Sequence, residues 1–155
     1  MQLKVMRTIP IGEVTQRVTV IEQKYTESME DIPEKFNRGL VDRDAFEDYV
    51  EWMGMVQALG AWREGEDFEY LTDDIMELEW EEFSKLTPRR LDLLDQLSRV
   101  RSESINDLAA KIGRNVKNVY MDLKKLESLG LVRLVREGRS LVPELLVHEV
   151  TLLLW

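Results

Sequence analysis

Residues 113–142 read GRNVKNVYMDLKKLESLGLVRLVREGRSLV, and they contain the clearest pattern of structural elements in the sequence. Asn115 can cap a helix there, and Gly130 suits the end of that helix. Apolar residues recur every three or four positions and predict one buried stripe on the helix, namely Val116, Val119, Leu123 and Leu126. The following residues 131–143 alternate around Glu137-Gly138, which predicts a β-hairpin with a basic tip.

Two further helices are predicted before this stretch. Thr87 followed by Pro88 is typical of a helix start, and Ser104 stands three residues before Asp107 in a variant of the capping box. Gly113 ends the second of these helices in a position suited to a left-handed turn. Three helices followed by a hairpin is the order of a winged helix-turn-helix, whose third helix enters the DNA major groove.

The polar face of the third helix, opposite the buried stripe, supplies the predicted DNA contacts. Asn118 can pair with adenine through two hydrogen bonds, and Arg114 or Lys117 can contact guanine or phosphate. Between Arg114 and Arg139 there are seven Lys and Arg residues against three acidic ones. The predicted DNA-binding residues are Arg114, Asn115, Lys117, Asn118, Met121, Lys124, Lys125, Arg136 and Arg139.

The charge of the chain is divided unequally between its two parts. The formal net charge is -9, but residues 1–86 carry 9 Lys and Arg against 21 Asp and Glu, whereas residues 87–155 carry 12 against 9. This division predicts an acidic, mostly helical region for partner binding or dimerisation at 1–82, and a DNA-binding winged helix-turn-helix domain at 84–155. The expected fold class is therefore mainly α with a small β-wing, preceded by an acidic helical region.

The acidic part has its own pattern of elements. Residues 2–9 alternate as in a short strand, 11–25 carry a heptad-like apolar stripe, and Asp42 can cap a helix from Arg43 to about Trp62. Residues 64–82 predict a linker followed by a helix, or alternatively an acidic segment that docks on a basic partner. The apolar tail 150–155 predicts a strand that closes the winged domain or pairs across a dimer.

Aromatic residues of the acidic part are the candidates for protein contacts. They can serve as core, as dimer or toxin contacts, or as the lining of a ligand pocket. The predicted partner-binding residues are Tyr25, Phe36, Phe46, Tyr49, Trp52, Met53, Trp62, Phe68 and Tyr70.

The residues needed for catalysis are missing from the sequence. The chain has no cysteine and a single histidine, His148, and it lacks a glycine-rich phosphate loop and any metal-ligand spacing. We therefore expect no enzymatic activity, no cofactor and no metal. No stretch approaches the roughly 18 unbroken apolar residues of a membrane helix, and the first residues lack the apolar core of a signal peptide. The expected location is the cytoplasm, without membrane contact.

Three segments carry a resemblance to known regulators: LTPRRLDLL at 86–94, SINDLA at 104–109, and GRNVKNVYMDLKKLESLGLV at 113–132. Over residues 84–150 the chain resembles winged-helix regulators of archaea and bacteria that are broadly similar to the MarR group. It most resembles a subgroup found as antitoxins beside small toxins. The resemblance implies a DNA-binding autorepressor that is usually dimeric.

The N-terminal part resembles short archaeal antitoxin segments with the pattern KYG…F…G…L…D…F…EW. The matching positions are Lys24-Tyr25, Phe36, Gly39, Leu40, Asp44, Phe46 and Glu51-Trp52, with Thr26 in place of the pattern's first glycine. This resemblance implies a toxin-binding segment.

These observations together predict an antitoxin-type, homodimeric transcriptional regulator. It represses its own operon by binding double-stranded operator DNA through the winged helix, and it neutralises a cognate small toxin through its N-terminal half. Two alternatives stay open: a ligand-responsive MarR-like repressor, and a winged-helix protein-interaction module without DNA binding.

Overall fold

The fold is given by a computed structural model that describes residues 1–66 and 69–154. Its contacts define two compact units. We call residues 1–7 together with the described residues from 73 onward the sheet unit, and the described residues of 8–72 the helical unit. This division differs from the predicted boundary between residues 82 and 84, because 1–7 and 73–82 belong to the sheet unit.

About half of the described residues are helical, and the strands form two small sheets, so the fold is mixed α/β. The elements in chain order are β1 (Gln2–Ile9), α1 (Ile11–Lys24), a 3-10 turn (Met29–Asp31), α2 (Ile32–Asn37), α3 (Arg43–Arg63), β2 (Tyr70–Glu77), α4 (Trp80–Phe83), α5 (Pro88–Arg99), α6 (Ile105–Ile112), α7 (Val116–Ser128), β3 (Val132–Glu137), β4 (Ser140–Leu145) and β5 (Val147–Leu153).

The larger sheet has the strand order β2-β1-β5. Strand β5 pairs antiparallel with β1, in a register that sets Gln2 opposite Leu153 and Val5 opposite Val150. The strand predicted over residues 2–9 is confirmed. The apolar C-terminal segment also forms a strand, and it closes the sheet unit by pairing with β1.

Strand β2 corrects the prediction for the acidic segment 64–82. A linker followed by a helix is wrong over Tyr70–Glu77, which forms a strand with alternate residues half-buried. Burial alternates with the period of two that a strand requires, but the many acidic residues of this segment concealed that period in the sequence. Two of the acids are compensated by β1, because Asp73 lies 3.1 Å from the Lys4 ammonium and Asp74 lies 2.6 Å from the Arg7 Nε.

The predicted starts of α5, α6 and α7 are confirmed by their caps. The Thr87 hydroxyl accepts a hydrogen bond from the Arg90 N–H, the Ser104 hydroxyl from the Asp107 N–H at 2.9 Å, and the Asn115 side chain from the Asn118 N–H. The core that these helices share is apolar and includes Leu93, Leu108, Val119, Leu123, Leu126, Leu131 and Val132.

The helical unit has a separate core between α1, α2 and α3. The predicted helices over 11–25 and from Arg43 are confirmed as α1 and α3, and the Asp42 side chain caps α3 by accepting a hydrogen bond from the Ala45 N–H at 2.9 Å. Large buried residues of this core are Ile21, Met29, Ile32, Trp52, Met55 and Leu59.

Among the helices of residues 1–66 and 69–154, none combines the length and the apolar character that a membrane crossing requires. The same residues contain no group of three or more His, Asp or Glu side chains arranged to hold a metal ion.

The two faces of α7 predict opposite effects on stability. Leu123→Ala removes a fully buried side chain and should lower the free energy of unfolding by about 2–5 kcal/mol. Met121→Ala, two positions away on the exposed face, should change it by less than about 0.5 kcal/mol. Chemical denaturation of both variants measures the difference. Equal losses would mean that α7 does not bury the stripe we describe.

Candidate nucleic-acid interface

Helix α7 is held at a fixed angle to α6 by a tight turn. Gly113 has a φ of 67°, in the left-handed region that favours glycine, and the Arg114 N–H donates to the Ala109 carbonyl at 2.9 Å. Asn115 then starts α7 by capping it. Only two residues separate the end of the turn from the new helix, so the direction of α7 is set locally.

One side of α7 is buried and the other is exposed to solvent. Val119, Leu123 and Leu126 have no exposed surface, which confirms most of the predicted stripe. Val116 is 42 % exposed, so its assignment to that stripe is wrong, because it lies in the first turn at the rim of the core. The exposed residues, which we call the α7 ridge, are Lys117, Asn118, Tyr120, Met121, Lys124 and Lys125.

A nearly buried cluster of three charges ties α7 to α5 and to the turn before it. The Asp122 carboxylate accepts from the Arg90 Nε at 3.0 Å and from the Arg114 Nη2 at 2.6 Å. Arg90 also donates to the Lys85 carbonyl at 2.8 Å. Burial alone would raise the pKa of Asp122, but the hydrogen bonds from Arg114 and Arg90 outweigh it and leave the pKa lowered.

This cluster changes the role expected for Arg114. The sequence predicted a contact with guanine or phosphate, but the Arg114 side chain is only 12 % exposed and one of its nitrogens is committed to Asp122. Arg114 therefore positions α7 and does not belong to the exposed ridge.

The hairpin of β3 and β4 presents two arginines at its tip. Glu137 pairs with Ser140, and Gly138 between them has a φ of 61°, which suits the first central position of a tight two-residue turn. Arg139 is the second central residue of this turn, Arg136 precedes the turn in β3, and both are exposed. Lower in the hairpin, Arg133 forms an ion pair at 2.7 Å with Glu144, its partner across the strands.

Glu127 connects the end of α7 to the hairpin. Its carboxylate accepts from the Leu134 N–H of β3 at 3.1 Å and from the Lys124 ammonium at 2.8 Å. Hydrogen bonds from Lys124 and from the Leu134 N–H lower the pKa of Glu127. The charge of Lys124 is therefore partly compensated within the protein, although its side chain is exposed.

A cleft of about 730 Å³ lies between the beginnings of α6 and α7 and the hairpin. Its lining combines side chains that are distant in sequence: Ser104, Ile105, Asn106, Asn115, Val116, Lys117, Tyr120, Arg136, Arg139, Ser140 and Leu141. The predicted DNA-binding residues that line this cleft are Asn115, Lys117, Arg136 and Arg139. Asn118, Met121, Lys124 and Lys125 lie on the ridge but do not line the cleft.

Tyr120 and Asn106 line this cleft but were missed by the sequence analysis. Tyr120 follows Lys117 by three positions, a spacing that places both side chains on one helix face. That spacing was therefore available from the sequence. Asn106 could not be found in this way, because only the packing of α6 against α7 brings it to the cleft.

Four cations around the cleft and ridge keep their charge uncompensated. Within residues 1–66 and 69–154, no carboxylate lies at ion-pair distance from Lys117, Lys125, Arg136 or Arg139. The Arg90 and Arg114 charges face Asp122, whereas these four face solvent. The surface beside the cleft is consequently cationic even though the chain as a whole is acidic.

The predicted partner-binding residues all lie in the helical unit, apart from Phe68, which is outside the described residues. Trp52 belongs to the core, and its indole N–H donates to Glu22 at 3.0 Å. The Tyr25 hydroxyl donates to Asp48, which also binds the Lys24 ammonium at 2.6 Å. These two aromatic residues hold the unit together and are not free for a partner.

The remaining aromatic residues differ in exposure. Phe36 and Phe46 stack at 4.8 Å between ring centroids, with Tyr49 next in the row, and all three are half-buried. Tyr70 is also half-buried, beside Gly54, where a Cβ would approach the Tyr70 hydroxyl to 3.2 Å. Met53 and Trp62 are exposed.

Comparison with known proteins gives one finding. Residues 85–152, which run from just before α5 into β5, match the profile of a protein family described as HVO_A0114. This match covers the three helices, the hairpin and the cleft, and less than half of the chain. No curated protein matches the sequence.

The charge cluster around Asp122 gives a stability prediction. Asp122→Asn leaves Arg90 and Arg114 nearly buried without a counter-charge and should lower the free energy of unfolding at neutral pH by about 3 kcal/mol. The folded-state pKa of Asp122 lies below its unfolded value, so its stabilisation is present above the unfolded pKa and is lost as the pH falls through the folded pKa. The difference in the free energy of unfolding between the wild type and Asp122→Asn should therefore disappear at acidic pH.

Asp92→Asn is the matched control, because Asp92 lies on the exposed face of α5 and binds only the nearby Gln96 side chain at 2.8 Å among the described residues. Urea denaturation at several pH values measures both variants. Our account of the cluster fails if the control loses as much stability as Asp122→Asn.

Proposed function

We propose that this protein is a DNA-binding transcriptional regulator and that α5, α6, α7 and the β3–β4 hairpin form a winged helix-turn-helix. The proposal rests on one observation. Helix α7 has one buried side, and its exposed α7 ridge lies beside the β3–β4 hairpin, whose tip carries two arginines without a counter-charge. A helix of this width fits the major groove of B-DNA, and cationic side chains beside it can neutralise phosphates.

The proposed roles follow from the chemistry of each side chain. Asn118 on the ridge can read adenine through its amide, and Lys117 can reach guanine or phosphate from the same turn of α7. Arg136 and Arg139 at the wing contact flanking phosphates or the minor groove. At physiological ionic strength, charges more than roughly 8–10 Å away are largely screened, so the cations beside the cleft count for more in this binding than the net charge of the chain.

Reversing charge at the cleft should abolish DNA binding. The variant Lys117→Glu with Arg139→Glu replaces two of the uncompensated cations and should lose retardation of the DNA upstream of its own gene. At low salt, where anisotropy detects weak residual binding that gel shifts miss, the slope of log affinity against log salt should be shallower by about 2, since each phosphate contact contributes about 0.9. Gel shifts and fluorescence anisotropy across a salt series measure both effects.

The control variant Arg38→Glu with Arg43→Glu makes the same change in charge on exposed arginines of the helical unit. It should bind DNA as the wild type does, apart from a small change due to net charge. If the wild type itself fails to retard any duplex at low salt, the regulator proposal is wrong.

A second proposed function rests on the charge of the helical unit. Residues 8–72 contain 15 Asp and Glu against 6 Lys and Arg, and the last turn of α3 carries Trp62, which is 51 % exposed. An exposed tryptophan among acidic residues suits the surface of a small basic protein. We therefore propose that this unit neutralises a basic toxin encoded beside the gene, which would make the chain an antitoxin that also represses its own operon.

Trp62→Ala should weaken this neutralisation. The protein and the product of the neighbouring reading frame are co-expressed, and both growth rescue and co-purification are measured. Trp80→Ala is the matched control, because Trp80 is an exposed tryptophan of the sheet unit. We expect the Trp62 variant to lose rescue while the Trp80 variant keeps it. The absence of both rescue and co-purification with the wild type would exclude the toxin proposal and leave the DNA proposal untouched.

A further inference from the structure

Met121 is an apolar side chain at the centre of the α7 ridge, and it is 49 % exposed. At 3.6 residues per turn, it points within about 15° of the direction opposite to the mean of Val119, Leu123 and Leu126. It is therefore the residue of α7 that projects furthest from the core. Its neighbours one turn away on the exposed side are all polar or charged, namely Lys117, Asn118, Lys124 and Lys125.

Two uncompensated cations stand on either side of Met121 along the helix. Lys117 precedes it by four positions and Lys125 follows it by four, so each lies about 6 Å from it along the helix axis. Neither lysine has a carboxylate at ion-pair distance within residues 1–66 and 69–154. The major groove of B-DNA is about 12 Å wide, so both ammonium groups can reach phosphates while Met121 faces the floor of the groove.

Charge determines which kind of partner fits this part of the ridge. A basic protein, such as the proposed toxin, is repelled by Lys117 and Lys125 and gains no charge pairing there. A DNA duplex gains phosphate contacts from both lysines, and Met121 between them then lies against the edges of the bases. A thioether is only a weak hydrogen-bond acceptor, so this side chain suits an apolar group on the base edge. In the major groove that group is the C5-methyl of thymine.

We propose that Met121 reads the C5-methyl group of a thymine in the operator, which makes it a specificity-determining residue. This inference rests on the proposed DNA-binding function and names part of the sequence that the site prefers. A methionine at the centre of the ridge distinguishes thymine from cytosine by contact with the methyl group, without a hydrogen bond.

The position of Asn118 adds a second feature of the preferred sequence. It precedes Met121 by three positions, about 4.5 Å along α7, and its side-chain amide makes no hydrogen bond within the described part of the chain. Successive base pairs are about 3.4 Å apart. The adenine read by Asn118 and the thymine read by Met121 should therefore lie within one or two base pairs of each other.

Removing the methyl groups from the DNA tests the contact directly. The full chain is titrated against a labelled duplex from upstream of its own gene, and against the same duplex with deoxyuridine in place of every thymine. This replacement keeps the charge and the base pairing. We expect the wild type to bind the thymine duplex about fourfold more tightly for each methyl group that Met121 covers, which is the effect of burying one methylene-sized group. Fluorescence anisotropy at fixed salt measures both dissociation constants.

Three variants assign the effect to the side chain. Met121→Ala should fold as the wild type does, because the residue is exposed, and should bind both duplexes with nearly equal affinity. Met121→Leu keeps an apolar side chain of similar size and should keep the preference for thymine. Lys125→Ala is the matched control, which should weaken binding to both duplexes by the same factor, because their phosphates are identical. A preference that survives Met121→Ala at its full size would arise from DNA shape and would overturn the assignment.

Single substitutions in the same duplex test the spacing. Deoxyuridine replaces one thymine at a time, and 7-deazaadenine, which lacks the N7 acceptor, replaces one adenine at a time. We expect the sensitive thymine to lie within two base pairs of the sensitive adenine. The first sensitivity should disappear in Met121→Ala and the second in Asn118→Ala. Sensitive positions further apart would overturn this arrangement of α7 on the duplex.

The inference and the function on which it rests fail in different ways. A wild type that binds the thymine and deoxyuridine duplexes equally well would overturn the role of Met121 and leave the regulator proposal standing. A wild type that binds neither duplex at low salt would overturn both.

Discussion

The one-sided burial of α7 is the constraint on which the candidate interface depends. Three side chains of this helix, Val119, Leu123 and Leu126, lie fully inside the apolar core, so the helix cannot rotate about its axis without exposing them to water. The orientation of α7 about its own axis determines which of its residues are exposed. The position of the polar α7 ridge is thus a consequence of packing in an apolar core.

Two acidic residues between Arg114 and Arg139 hold elements of the fold together. Asp122 joins two arginines of different elements, and Glu127 joins α7 to both Lys124 and the backbone of β3. A count of charges between Arg114 and Arg139 treats all seven cations alike. Three of them, Arg114, Lys124 and Arg133, are ion-paired, whereas the other four have no carboxylate at ion-pair distance among the described residues. Three of those four line one cleft.

Much of the fold could be predicted from the sequence, because local chemistry determined it. The caps at Thr87, Ser104 and Asn115 fixed the starts of α5, α6 and α7, and the left-handed Gly113 and Gly130 marked the ends of α6 and α7, without reference to distant residues. Long-range pairing was different. The pairing of β1 with β5 joins residues 140 to 151 positions apart, and β2 alternates within a run of acids whose charges β1 partly neutralises. The inward turn of Arg114 likewise depends on Asp122 and Arg90, which its own neighbours in sequence do not reveal.

The pairing of β1 with β5 also bears on the order in which the molecule is made. Residues 8–72 are continuous in sequence, so the contacts within the helical unit can all form while the ribosome is still translating the second half. Strand β1 is synthesised at least 140 residues before the residues of β5 that pair with it. One edge of β1 therefore stays unpaired until β5 has been made, and an open strand edge can pair with other chains in the meantime.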